Sequence, residues 1–212
     1  MGIDIQINTF SRYTQVSRET IRSLEEYEKL LILANKSLNL IGKSTIDQIW
    51  SRHFLDSFQV IDFIDKNDKT LIDIGSGAGF PGLVLAIAAK DKNMQLNITL
   101  IEKSLKKTKF LNDVIKKLNL KAQVIHKNVL EDQNKIISDV FVARAFKPLQ
   151  IILQLIHNKI DNYKKFFVFL GKTGKDELLQ ASKIWDIKYK QRVSVTSSDS
   201  LIIEINKLKK IN

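Results

Sequence analysis

Residues 70–90 read TLIDIGSGAGFPGLVLAIAAK. A β-branched apolar segment runs into three alternating glycines, Gly75, Gly77 and Gly79, and then into an unbroken apolar run. The pattern predicts a buried strand (TLIDIG), a turn of bare backbone, and a helix (PGLVLAIAAK). Downstream the alternation continues. LNITLIE, AQVIHKN, DVFVARAF and KKFFVFLG read as strands; SLKKTKFLNDVIKKLNL, PLQIILQLIHNKI and KDELLQASKIW read as helices. Ser104 is expected to cap the first of these helices and Pro148 to open the second. DIKYKQRVSV and SLIIEIN, separated by TSSDS, are close enough for an antiparallel hairpin. Strand–helix alternation of this kind implies an α/β fold with a mostly parallel, doubly wound sheet ending in a hairpin.

Upstream of the glycines the chain reads as helical. One helix is expected over SRETIRSLEEYEKLLILANKSL, and a second from Ser44 through QIWSRHFLDSFQVIDFI, with His53, Asp56 and Ser57 sharing a face. The polar break DKNDK at 65–69 separates a helical cap, residues 1–66, from the alternating region, residues 67–212, within one compact unit.

The 212 residues contain no cysteine, which excludes disulfides, cysteine-ligated zinc, iron–sulfur clusters and a cysteine nucleophile. The N-terminal stretch lacks the basic-then-apolar order of a signal peptide, and the longest apolar run is far too short for a bilayer. A cytoplasmic protein with no membrane contact and no metal is expected. The formal net charge is +11, which suits a polyanionic partner such as RNA. The same excess also arises in a lysine-rich composition with no such partner.

Ligands of doubly wound sheets sit beyond the carboxyl ends of the strands, where the glycines lie. Two registers compete. GAGFPG at 77–82 formally matches a dinucleotide fingerprint, but it starts two residues late and puts Pro81, which has no N–H, where a pyrophosphate wants donors. DIGSGAG places Asp73 two residues before the triplet. An acid there repels phosphate and suits a cation, which favours S-adenosylmethionine over NAD. Glu102, at the end of the second predicted strand, can accept hydrogen bonds from both ribose hydroxyls of either cofactor. Asn128, Val129 and Leu130 follow the third strand, where main-chain amides can read an adenine edge. Arg144 is the odd residue of an apolar strand. It pairs either with Asp73 or another acid, or with methionine's carboxylate or an RNA phosphate, and these roles can coexist.

NLIGK, RHFLDS, LIDIGSGAGFPGLVLAIA, IEKSLKKTKFLNDV and VARAFKPL occur in this order. From about Leu30 to Leu178 the chain resembles the bacterial 16S ribosomal RNA guanine-N7 methyltransferase family, also called glucose-inhibited division protein B. The resemblance implies a class I, Rossmann-like methyltransferase fold with an N-terminal helical extension. It implies cofactor contacts at Gly75, Phe80, Val129, Leu130 and Arg144, with Glu102 near the ribose. His53 and Asp56 are then expected at the active-site mouth. Three positions depart from the family pattern: Ala34 for tryptophan, Ile41 for threonine, and Leu170 where a lysine precedes the glycine. Lys172 stands close enough to supply that charge.

The chemistry narrows by elimination. Pyrimidine C5 methylation needs a cysteine, and amine methylation typically uses an N/D-P-P-Y motif; Pro81 and Pro148 are the only prolines. Guanine N7 carries a lone pair and no proton, so positioning suffices. Lys103, Lys106 and Lys107, with Lys172, are the candidate RNA contacts, against 16S ribosomal RNA, the small subunit or its precursor. A monomer is expected. The alternatives are an S-adenosylmethionine enzyme of another substrate and a non-catalytic RNA-binding assembly factor that keeps the pocket.

Overall fold

The computed structural model describes residues 2–211. Two helices come first, α1 (Ile3–Thr14) and α2 (Arg18–Leu38). Ser17 caps α2, its side chain accepting from the Thr20 amide. The expected single helix from Ser44 does not form. In its place run a 3-10 stretch (Lys43–Gln48), a π-helical turn (Trp50–Leu55), a short α3 (Asp56–Phe58) and another 3-10 stretch (Gln59–Phe63).

Beyond the polar break the alternation follows the expected order. It comprises β1 (Thr70–Ile74), α4 (Gly82–Asp91), β2 (Asn97–Glu102), α5 (Leu105–Leu118) and β3 (Ala122–His126). A short β4 (Ile136–Ile137), β5 (Val140–Arg144), α6 (Leu149–Lys159) and a short β6 (Ile160–Asp161) follow. Then come β7 (Lys165–Leu170), α7 (Gly174–Ala181), β8 (Trp185–Ser194) and β9 (Ser197–Lys210). The main sheet has the order β3-β2-β1-β5-β7-β9-β8. β9 alone runs antiparallel to β7, and β8 pairs with it. β4 and β6 form a separate two-stranded sheet that the sequence pattern did not reveal.

Two local expectations change. TSSDS is not the hairpin turn: β8 ends at Ser194 and β9 starts at Ser197, and the polar residues 198–200 are absorbed as an irregularity between the Val193–Leu201 and Ser194–Ser197 pairs. Ser104 stands at the start of α5, but its hydroxyl caps nothing; its amide is drawn back to Glu102 instead.

The strand order reverses between β1 and β5, so the switch point, and the ligand crevice it creates, lies above these two strands. One hydrophobic core joins the cap to the sheet. Phe10, Leu24, Trp50 and Phe58 of the cap cluster with Leu71, Val84 and Leu100 of the α/β region. The cap is therefore fixed directly over the crevice.

Candidate active site

A cavity of about 640 Å³ opens at the carboxyl ends of β1, β2 and β5. Its floor is the turn after β1, which carries Gly75, Ser76, Gly77 and Ala78. All three glycines of the triplet have positive φ, but they face different neighbours. A Cβ on Gly75 would lie 2.2 Å from the Phe146 ring, and one on Gly79 would lie 2.5 Å from Leu83 and 2.6 Å from the Tyr27 hydroxyl. A Cβ on Gly77 would meet nothing closer than 3.8 Å. Gly77 is thus the position whose bareness serves the open cavity, whereas Gly79 admits the cap helix.

Glu102 ties this floor to β2. Its Oε2 accepts from the Gly77 amide at 2.9 Å and its Oε1 from the Ser104 amide at 2.8 Å. Each oxygen retains a lone pair for a diol on the cavity side. Asn128, Val129 and Leu130 form the opposite rim. The Leu130 amide is taken by the Asn128 side chain at 3.3 Å, so it is not available to an adenine as the sequence suggested. Behind this rim, the Lys159 ammonium donates to three carbonyls of one loop: Val129 at 3.2 Å, Leu130 at 2.6 Å and Asp132 at 2.6 Å. Nothing in the local sequence around Lys159 signals that contact.

Asp73 is fully buried and does not line the cavity. Its Oδ2 accepts from the Gly82 amide at 2.9 Å, anchoring the start of α4 beneath the turn. Burial pushes its pKa up to about 7 against the Gly82 hydrogen bond. The direct contact with a cationic ligand expected of Asp73 is therefore replaced by support from below. Gly79 likewise lies behind the lining.

The third wall is built by the cap. His53 stacks on Phe80, with centroids 4.9 Å apart and planes 12° from parallel. Arg144, at the end of β5, reaches across to the broken cap segment. Its Nη2 donates to the Arg52 carbonyl at 2.6 Å and to His53 Nδ1 at 3.2 Å; its Nη1 donates to Ser57 Oγ at 3.2 Å. Its ionic partner is Asp56, at 3.4 Å, and not Asp73. The face shared by His53, Asp56 and Ser57 is thus collected by one guanidinium.

A guanidinium has no acceptor, so His53 Nδ1 must be the acceptor and the ring proton must sit on Nε2. Nε2 then donates to Thr45 Oγ1 at 3.0 Å. Desolvation, reinforced by the Arg144 and Arg52 charges, lowers the His53 pKa to about 3. The imidazole is neutral at physiological pH and is not poised to take a proton. Behind this wall Tyr27 of α2, fully buried, braces the floor, its hydroxyl donating to the Ala78 carbonyl.

Of the candidate RNA contacts, Lys103 and Lys107 line the cavity mouth, together with Lys127 and Lys147, which the sequence reading did not single out. Lys106 and Lys172 are exposed but do not line it. Among the described residues there is no group of three or more His, Asp or Glu that could hold a metal ion.

A model of the GidB family, rRNA small subunit methyltransferase G, matches residues 20–204. The "Ribosomal RNA small subunit methyltransferase G" of Pelagibacter ubique (strain HTCC1062) is 38% identical over 199 residues, covering 93% of this chain and 93% of that protein. The protein of the same name from Rickettsia felis is 38% identical over 197 residues, covering 93% and 98%. Among solved structures, the 16S rRNA methylase RmtB superposes with a TM-score of 0.56 at 14% identity, covering 91% of this chain and 76% of that one. M. capricolum TrmK, in complex with S-adenosyl-homocysteine, superposes with a TM-score of 0.53 at 21% identity, covering 71% and 67%.

Proposed function

This chain belongs to the rRNA small subunit methyltransferase G family, and from that premise we propose that it methylates N7 of a guanine in 16S ribosomal RNA with S-adenosylmethionine. The observation that carries the reading is the cavity itself. It has a bare glycine floor at Gly77, a carboxylate at Glu102 and a wall of neutral His53 on Phe80, and lies at the switch point of the sheet.

The residues fit the cofactor. Gly75, Gly77 and Glu102 would hold its methionine and ribose portions, and Asn128, Val129 and Leu130 its adenine. When bound, S-adenosylmethionine supplies an electrophilic methyl group on a cationic sulfur. Guanine N7 offers a lone pair and carries no proton, so the chain needs to orient the base rather than deprotonate it. The neutral, doubly hydrogen-bonded His53 suits that task better than proton transfer. Its stack on Phe80 forms a flat aromatic wall against which an unstacked base can settle. Arg144 holds this wall to β5 with most of its donors committed to protein groups.

Lys103 and Lys107 flank the mouth and would neutralise phosphates around the target nucleotide, with Lys106 and Lys172 as outer contacts. No helix among the described residues is long and apolar enough to cross a membrane. We place the protein in the cytoplasm as a monomer acting on 16S rRNA, the small subunit or its precursor.

The test is transfer of a tritiated methyl group to naked 16S rRNA, free small subunits and unrelated RNAs, followed by identification of the product nucleoside. The expected product is 7-methylguanosine from 16S rRNA alone. Calorimetry should show binding of S-adenosylmethionine and S-adenosylhomocysteine and none of NAD. The opposite pattern sinks the cofactor assignment, and methyl transfer to another substrate sinks the RNA assignment.

A further inference from the structure

The β8–β9 hairpin is the part of the sheet to which the cavity gives no task, yet its tip docks beside the cavity wall. Ser194, 5% exposed, donates its hydroxyl to Asp56 Oδ1 at 2.6 Å. Thr196 Oγ1 donates to the same oxygen at 3.1 Å, and Gln59 Nε2 donates to it at 3.0 Å. Three donors on one oxygen fix the plane of the carboxylate. The other oxygen, Oδ2, is thereby aimed at Arg144 Nη2, 3.4 Å away. The hairpin is also held independently of these hydroxyls, because the Val195 amide donates to Gln59 Oε1 at 3.2 Å.

We propose that Ser194 and Thr196 are positioning residues for methyl transfer: through Asp56 they hold the Arg144 guanidinium, and with it His53, in register with the cavity. The proposal deepens the reading of this cavity as the cofactor and guanine site and rests on it. A carboxylate left with Gln59 as its one remaining donor on Oδ1 is less firmly oriented, and a guanidinium competes for whatever acceptors face it. Arg144 also binds the Arg52 and His53 carbonyls. A shift of its fork therefore moves the backbone that carries the His53 ring. Small displacements of this kind are costly where catalysis depends on alignment.

The test uses the full-length chain with Ser194→Ala and Thr196→Val combined, and Ser194→Thr as the conservative control. The first readout is the Arg144 Nη–H signal in a nitrogen–proton NMR spectrum, identified by its loss in Arg144→Ala. In the unaltered protein it should be protected from solvent exchange. In the double variant it should merge with the exposed arginines. The second readout is kinetic. The double variant should lose about tenfold in kcat with the KM for S-adenosylmethionine within about twofold, and Ser194→Thr should retain activity. In an Arg144→Ala background the double substitution should cost nothing further. An unchanged Arg144 signal, unchanged kcat, or an equal loss with Arg144 absent overturns the proposal. If the unaltered protein methylates no 16S rRNA, the functional reading falls, while the Arg144 signal still decides whether the hairpin positions it.

Discussion

Two segments border the cavity and are built in opposite ways. Residues 70–91 form a regular strand, a glycine turn and a regular helix. Their backbone is satisfied by neighbours in sequence or by the adjacent strand: the Gly75 and Ser76 amides both donate to the Ile101 carbonyl. Residues 43–63 pass through 3-10, π, α and again 3-10 geometry. Here Arg52 and His53 turn their carbonyls to Arg144, which lies more than 90 residues away in the chain. The first segment presents backbone to the cavity, and the second presents side chains. Bare backbone needs local rules of turn geometry, while the aimed side chains lie on an irregular helix whose carbonyls meet a cation distant in the chain. π-turns recur at functional sites for related reasons.

The contrast breaks most directly at Gly77. Gly77→Val places a branched side chain into the open floor and strains a residue with φ of 58°, at about 1–3 kcal/mol of folding stability. Cofactor binding should become undetectable by calorimetry while the protein stays folded by circular dichroism. Near-normal affinity would mean that the floor is not where the ligand lies.

Arg144→Ala tests the other segment. It leaves the buried Asp56 without its ionic partner and frees the Arg52 and His53 carbonyls. Stability to urea should fall by about 3 kcal/mol, and most methyl transfer should be lost. Hydrogen exchange should accelerate selectively over residues 50–58. Uniform acceleration across the chain would show that the distortion is intrinsic to the segment and not imposed by Arg144.

Glu102→Ala sharpens the comparison from beneath the first segment. The carboxylate restrains the Gly77 and Ser104 amides and lines the cavity. Cofactor affinity should drop by about 1.5–3 kcal/mol, measured by calorimetry. A change in melting temperature with unaltered affinity would make Glu102 a brace only.

The smallest net effect is in pH dependence, because the two segments titrate in opposite senses. His53, lowered from 6.5 to about 3, contributes stability that is present above its unfolded pKa and is lost as pH falls through 3. Asp73, raised from 3.8 to about 7, contributes stability that is present below 3.8 and is lost as pH rises through 7. Between about pH 4 and 6.5 the two slopes oppose each other. Relative to the unaltered protein, Asp73→Asn should gain stability across this window as pH rises, and His53→Gln should lose it. Parallel curves for all three proteins would remove both groups from the account.

The functional site was partly legible before the fold. The glycine turn and the acid ending β2, which the structure brings together at the cavity, were legible because turns and strand ends obey short-range steric rules. The grouping of His53, Asp56 and Ser57 followed from helical spacing and survived the distortion, since all three still meet at Arg144. Lys159 was not legible, since it gains its role from three carbonyls brought close only by the packing of α6. Nor was the support role of Asp73, whose neighbour in space is an amide nine residues on rather than a ligand.

By itself the sequence determined the strand–helix alternation, the glycine turn at the end of β1 and the acid at the end of β2. Each of these rests on hydrophobic periodicity or on the conformational freedom of a few adjacent residues. Tertiary structure alone decided which glycine faces the cavity, which acid pairs with Arg144, and that a hairpin tip from the C-terminal end reaches Asp56. Those outcomes depend on the distances between groups far apart in the chain, and only the packed core joining cap to sheet sets such distances.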